Sequence, residues 1–149
     1  MRDLVDVSDE AVQARLRRAR VARLATLDTE GRAHVVPICF AYDGQAFYSA
    51  LDLKPKRVPP EQLARVRHIQ AQPNVVLLID HYEEDWEQLW YVMVRGTATL
   101  LAPTDAKEEV SRAHRMLEAK YPQYQSSLLP EDTPIIRIVP NRTTCWGKF

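Results

Sequence analysis

The sequence predicts an α+β fold, a mostly antiparallel β-barrel with helices packed outside it. Two strand-like runs flank Gly31, the hairpin signal Asp43-Gly44 follows at once, and helical periodicity is confined to separated stretches. Strands joined by such tight turns do not suit a doubly wound parallel sheet, which needs a long crossover between neighbours. At 149 residues the chain is most simply a single domain spanning 1–149, long enough to bury a core of its own.

Ser8 is a good N-cap, with Asp9 and Glu10 in the first turn where the helix dipole favours negative charge. Val12, Leu16 and Ala19 then recur at helical spacing, with arginines on the other face. Gly31 closes the turn in "LDTEGRA", so strands are expected at residues 21–27 and 33–42, and the Asp43-Gly44 hairpin leads into a third at 45–51. "VPPEQLARVRHIQAQP" opens with prolines and sets Leu63, Val66 and Ile69 on one face of a short helix. Residues 74–82 are a nearly continuous apolar run suited to a central strand, "EEDWEQ" is a polar connection, and 89–101 alternates as a long strand stopped by Pro103. Thr104 is the expected cap of a second long helix, with Ala106, Val110, Ala113 and Leu117 on one face. Two closing strands are expected at 135–139 and 143–147.

Twenty acidic side chains balance twenty basic ones, so nothing global argues for nucleic acid or an anionic membrane as partner. No apolar run approaches the roughly 20 residues of a membrane span. The opening "MRDLVDVSDE" lacks the apolar core of a signal peptide, so the expected location is cytoplasmic. Cys39 and Cys145 have no CxxC partner and read as two ordinary buried thiols in a reducing compartment, against a disulfide or a reactive thiol.

The chemistry-bearing stretch is "SALDLKPKR", where Lys54, Lys56 and Arg57 fall within four residues after a predicted strand. Cations after a strand are commonly a solvated turn. The alternative is a phosphate site, since a phosphate favours several converging charge-assisted hydrogen bonds, each worth about 1.5–3 kcal/mol. Arg57 offers a planar fork, the lysines offer point charges, and the prolines that follow stiffen the loop. "IDHYEEDWEQLWYV" gathers acids with a lone His81, which reads as a solvated hairpin end rather than a metal site, so no metal is expected. Its aromatics, Trp86, Trp90 and Tyr91, suit barrel core or a subunit interface as well as a pocket wall. His34, His68 and His114 each stand alone and read as structural or solvated.

Taken together, "VARLATLDTEGRAHVVPICFAYDGQAFYSALDLKPKR", "PNVVLLIDHYEEDWEQLWYVMVRGTATLL" and the closing "TTCWGKF" resemble the split-barrel flavin-binding superfamily typified by pyridoxamine 5'-phosphate oxidase. "DHYEEDW…LWYV" is most similar to its deazaflavin (coenzyme F420)-dependent branch. The resemblance runs over residues 21–149, carried by the order of several weak motifs rather than by one specific motif. It implies an antiparallel FMN-binding split barrel that forms a homodimer, with a cofactor cleft at the subunit interface. It places the cofactor phosphate against Lys54, Lys56 and Arg57, and its ring against Val36, Pro37 and Ile38 of the second strand and Tyr48, Ser49 and Ala50 of the third. It brings Trp86 or Trp90 to the acceptor pocket, sends Arg95, Trp146 and Lys148 towards the cofactor, and leaves Arg65, Arg67 and His68 for an acidic cofactor tail. The second strand lacks the arginine-and-lysine pair of the pyridoxamine phosphate oxidases, which points away from a vitamin B6 oxidase. The expected activity is hydride transfer from F420 to a small electron-poor acceptor. FMN in the same fold is the first alternative, and a non-catalytic flavin- or haem-binding module the second.

Overall fold

The computed structural model describes residues 6–51, 63–125 and 128–149. Among them are strands β1 (Ala22–Leu27), β2 (Ala33–Ile38), β3 (Ala41–Tyr42), β4 (Phe47–Ala50), β5 (Asn74–His81), β6 (Trp90–Leu101) and β7 (Ile135–Gly147). Helices α1 (Glu10–Arg18), α2 (Ala64–Ala71) and α3 (Lys107–Lys120) accompany them. The strands make one antiparallel sheet in the order β2-β1-β5-β6-β7-β4-β3. Its two edge strands, β2 and β3, are consecutive pieces of one stretch of chain, parted only by Cys39 and Phe40. A sheet whose first and last strands are joined in this way has to curl back on itself. The result is the split barrel of an α+β fold, as expected.

Period-two alternation supplies the core. Leu24, Leu77, Ile79, Val92, Val94, Ile136 and Ile138 point inward, and α1 and α2 bring Val12, Leu16, Val66 and Ile69 to the same cluster. A second cluster lies under α3, where Val110, Ala113 and Leu117 meet Tyr48, Leu101 and Ile135. Among the described residues, no helix is long and apolar enough to cross a membrane.

The Asp43-Gly44 turn forms as expected: Gly44 takes φ +94, and the Asp43 carboxylate accepts the Gln45 and Ala46 N–H groups at 2.8 and 2.7 Å. Four local expectations need correction. Asp9, not Ser8, caps α1, accepting the Ala11 N–H at 2.8 Å, while Ser8 donates back to Asp6. Thr104 is not the cap of α3, which starts at Lys107 after Ala106 with no side-chain cap. The single strand foreseen at 33–42 breaks at Cys39-Phe40. The two closing strands are one, because a bulge opposite Arg95 and Gly96 carries β7 through Pro140, with Asn141 as the extra residue. At that bulge the backbones approach so closely that a Cβ on Gly96 would stand 2.7 Å from the Val139 carbonyl oxygen.

The break in the β2–β3 stretch is held from a distance. Phe40 N–H donates to the Tyr121 hydroxyl at 3.1 Å, and that hydroxyl donates to the Arg20 carbonyl at 2.8 Å. The Phe40 carbonyl is also within 3.1 Å of that hydroxyl, and Tyr121→Phe removes all of these contacts while keeping the ring, so it should lower the unfolding free energy by about 1–3 kcal/mol in urea titrations. An unchanged midpoint would show that the break holds itself.

Candidate functional site

The break opens a gap between β2 and β4. Strand β3 pairs only with Phe47 and Tyr48, so Ser49 and Ala50 run past its end, opposite Pro37, Ile38 and Cys39. A cavity of about 310 Å³ lies there, closed by Val21 and by Arg65 of α2. Pro37 is on an edge strand, where its missing N–H costs no ladder bond. Ser49 is 3% exposed, yet its hydroxyl makes no hydrogen bond with any described residue. Arg65 follows from the seating of α2, whose Val66 and Ile69 are fixed in the core. Lys54, Lys56 and Arg57 lie outside the described residues. The chain leaves the described part at Leu51, next to Ala50, and returns at Leu63, close to Arg65. In sequence the basic segment thus lies between Ala50 and Arg65, two residues that line the cavity.

Of the other residues singled out in the sequence, Ala50 and Ile38 line the cavity, and Val36 packs against the core behind it. Tyr48 is turned away, because alternation along β4 puts its ring under α3. There its hydroxyl donates to Glu109 at 2.8 Å, and Arg137 reaches the other Glu109 oxygen at 2.8 Å. Burial, with Glu109 beside it, holds the Tyr48 hydroxyl above its ordinary range. The expectation that Tyr48 seats a ring is corrected accordingly.

The three tryptophans part ways. Trp90 is 6% exposed and packs in the core between His81 and Phe149, so within this chain it walls no pocket. Trp146 stacks on Tyr91 across β6 and β7 with centroids 5.5 Å apart, on the outward face of the sheet. Trp86, in a short 3-10 turn, is 67% exposed. Arg95 faces a different groove, beside Arg142. Exposed Lys148 gives its backbone N–H to Leu89. His68 is held by Thr26 at 2.8 Å, with His34 edge-on, which leaves Arg65 as the basic group of α2 that reaches the cavity. His114 bonds the Thr133 carbonyl at 2.9 Å. Among the described residues, no three His, Cys, Asp or Glu side chains gather in a metal-binding group.

Both cysteines are free. Cys145 is buried, and burial pushes its thiol up to about 11. Cys39 departs from the expected buried thiol: it is half-buried and lines the cavity. Neither Cys39 nor Val21 carried a sequence signal, since both reach the cavity only through the break after β2.

The family profile for pyridoxamine 5'-phosphate oxidase matches residues 8–147. The chain belongs to this family. No curated protein matches it. Among solved structures, a conserved hypothetical protein from Mycobacterium tuberculosis is similar over 99% of this chain and 88% of its own, at 19% identity and a TM-score of 0.76. The haem storage protein HutZ from Vibrio cholerae covers 93% and 96% at 14% identity and a TM-score of 0.73. An F420 reductase covers 91% and 97% at 20% identity and a TM-score of 0.63. At such identities these three show a shared fold.

In this pyridoxamine 5'-phosphate oxidase-family chain, a buried cation stands behind the cavity wall. The Lys120 amine lies 3.9 Å from the centroid of the Phe40 ring, and burial, with Arg20 adding like charge, lowers it to about 8. The unfolded value is 10.5, so the unfolded chain holds this proton more tightly. The burden on the fold is full below pH 8 and is relieved as pH rises from there towards 10.5. Lys120→Met should therefore be more stable than the wild type at about pH 7, with the gap clearly narrower by about pH 9.5 in thermal melts. A gap independent of pH would show that Lys120 acts through packing alone.

Proposed function

We propose that this family member is an oxidoreductase that holds a flavin-type cofactor, coenzyme F420 in the first place and FMN in the second, in the gap between β2 and β4. The observation that carries the reading is the cavity at the split, with apolar walls, a guanidinium and a Ser49 hydroxyl that bonds no described residue, lined by Ala50 and Arg65 on either side of the basic segment in sequence. That donor set fits a planar apolar ring with an anionic tail. The fold shared with an F420 reductase supports the deazaflavin.

In this reading Arg65 joins Lys54, Lys56 and Arg57 in holding the phosphate through charge-assisted hydrogen bonds. Pro37, Ile38 and Ala50 bear on the ring, and Ser49 bonds its polar edge. Val36 and Tyr48 fix the two strands from behind. A second copy of the chain completes the cleft. In favour of that are the exposed Tyr82 and Trp86 and the outward-facing Tyr91 and Trp146, which lie towards the turn between β5 and β6, away from Arg95 and Arg142. Trp86 then walls the acceptor pocket of the neighbouring copy, while Trp146 lies towards its own cofactor. When bound, the cofactor supplies hydride to a small electron-poor organic acceptor, so no side-chain nucleophile is required. The protein acts as a single-domain unit in the cytoplasm, without nucleic-acid or membrane partners.

Fluorescence titration with F420 and with FMN tests the reading. F420 should bind at micromolar concentration or tighter and FMN more weakly, and Lys56→Ala with Arg57→Ala should weaken F420 about tenfold or more while light scattering still shows a dimer. Preference for FMN would move the chemistry to that cofactor; binding of neither would refute the proposal. Cys39 favours one second reading, since cysteine is among the residues that ligate haem and this one lines the cavity. A haem absorbance spectrum unchanged by Cys39→Ser would dismiss it.

A further inference from the structure

A second groove, of about 590 Å³, lies at the other end of β1. The cofactor cavity takes Val21 and this groove begins at Ala25, four residues on, or about 13 Å along a strand, and the two share no lining residue. Its floor is apolar, from Ala25, Leu27, Val75 and Val76, and its rim carries Arg95 and Arg142. These arginines are direct cross-strand partners on β6 and β7. Like charges placed so repel each other, and a sheet has reason to avoid the pair. Arg23 pairs with Asp80, Arg32 with Asp28 and Glu30, and Arg137 with Glu109. Arg95 and Arg142 have no such partner among the described residues. The bulge fixes them there. Close packing of Gly96 on Val139 sets it, and the extra residue, Asn141, lines the groove between them with its amide on the Thr97 hydroxyl at 3.1 Å.

We propose that this groove is a binding site for a small organic oxyanion, a carboxylate or phosphate on an apolar body. Arg95 and Arg142 grip the oxyanion in fork geometry, and the floor of β1 and β5 takes the body. The volume lies within the range of small-molecule sites, and a bound anion turns the repulsive pair into a clamp. The site does not depend on which cofactor fills the cleft.

The test uses phenyl phosphate and benzoate as probes, benzamide as the uncharged control and inorganic phosphate as the control without a body. Calorimetry on the full-length protein, with the cofactor cleft saturated, should show phenyl phosphate or benzoate binding about tenfold or more tightly than benzamide, and tighter than inorganic phosphate. Whichever of the two binds better identifies the oxyanion. Arg142→Ala should lose about tenfold or more of that affinity while keeping wild-type cofactor affinity. Without ligand it should melt no lower than the wild type, because the like-charge pair is gone; a merely structural arginine would melt lower. No binding of either probe, equal binding of benzamide, or a variant that binds as well as the wild type would overturn the proposal. So would an Arg142→Ala protein that becomes monomeric, since the pair would then serve a second chain.

Discussion

The hydroxyl of Tyr121 accepts the Phe40 N–H and donates to the Arg20 carbonyl, and through it the end of α3, the break between β2 and β3, and the approach to β1 are tied at one point. The rest follows from that knot. Without the break, residues 33–42 would run on as one straight strand, and the sheet could not bring its two edges together. With it, β2 stays on one edge, β3 crosses to the other, and the barrel closes except where β3 ends after two residues. The opening left over is the cavity of Pro37, Cys39 and Ser49. Closing the fold and opening the site are one event.

Alternation along the strands then sorts the functional side chains. Tyr48 and Ser49 are neighbours in sequence, but one is spent on Glu109 beneath α3 and the other, at the cavity, bonds no described residue through its hydroxyl. Trp90 and Tyr91 divide likewise, one into the core and one to the outward face beside Trp146. The zero net charge conceals a similar sorting: Arg23 and Arg137 are paired with carboxylates in place, while the Arg95–Arg142 pair stands at the second groove.

What could be read in the sequence was what local chemistry decides. Asp43-Gly44 specifies its turn through its own side chain and backbone, and β5 and β6 announce themselves by composition and alternation. Pro37 and Ser49 come from a family likeness, and so does Arg65, as a cation for an acidic cofactor tail. What escaped was decided at long range. The partner of Phe40 is 81 residues away, so nothing near Cys39 marks the break or brings that thiol to a cavity. Pro140 looked like a strand end because the bulge that accommodates it is built with Gly96 on another strand. Arg95 and Arg142 meet by register, which spacing along the chain does not reveal. The caps of α1 and α3 were misplaced because Ser8 and Thr104, good caps by type, lie a residue or more outside the helix starts.

The most direct measurement of the central claim is a crystal structure of the protein grown with coenzyme F420. The account predicts electron density for the ring against Pro37 and Ser49, the phosphate within hydrogen-bonding reach of Arg65, and a second copy of the chain closing the cleft. Ordered cofactor at any other place, with the gap between β2 and β4 holding only solvent, would contradict it.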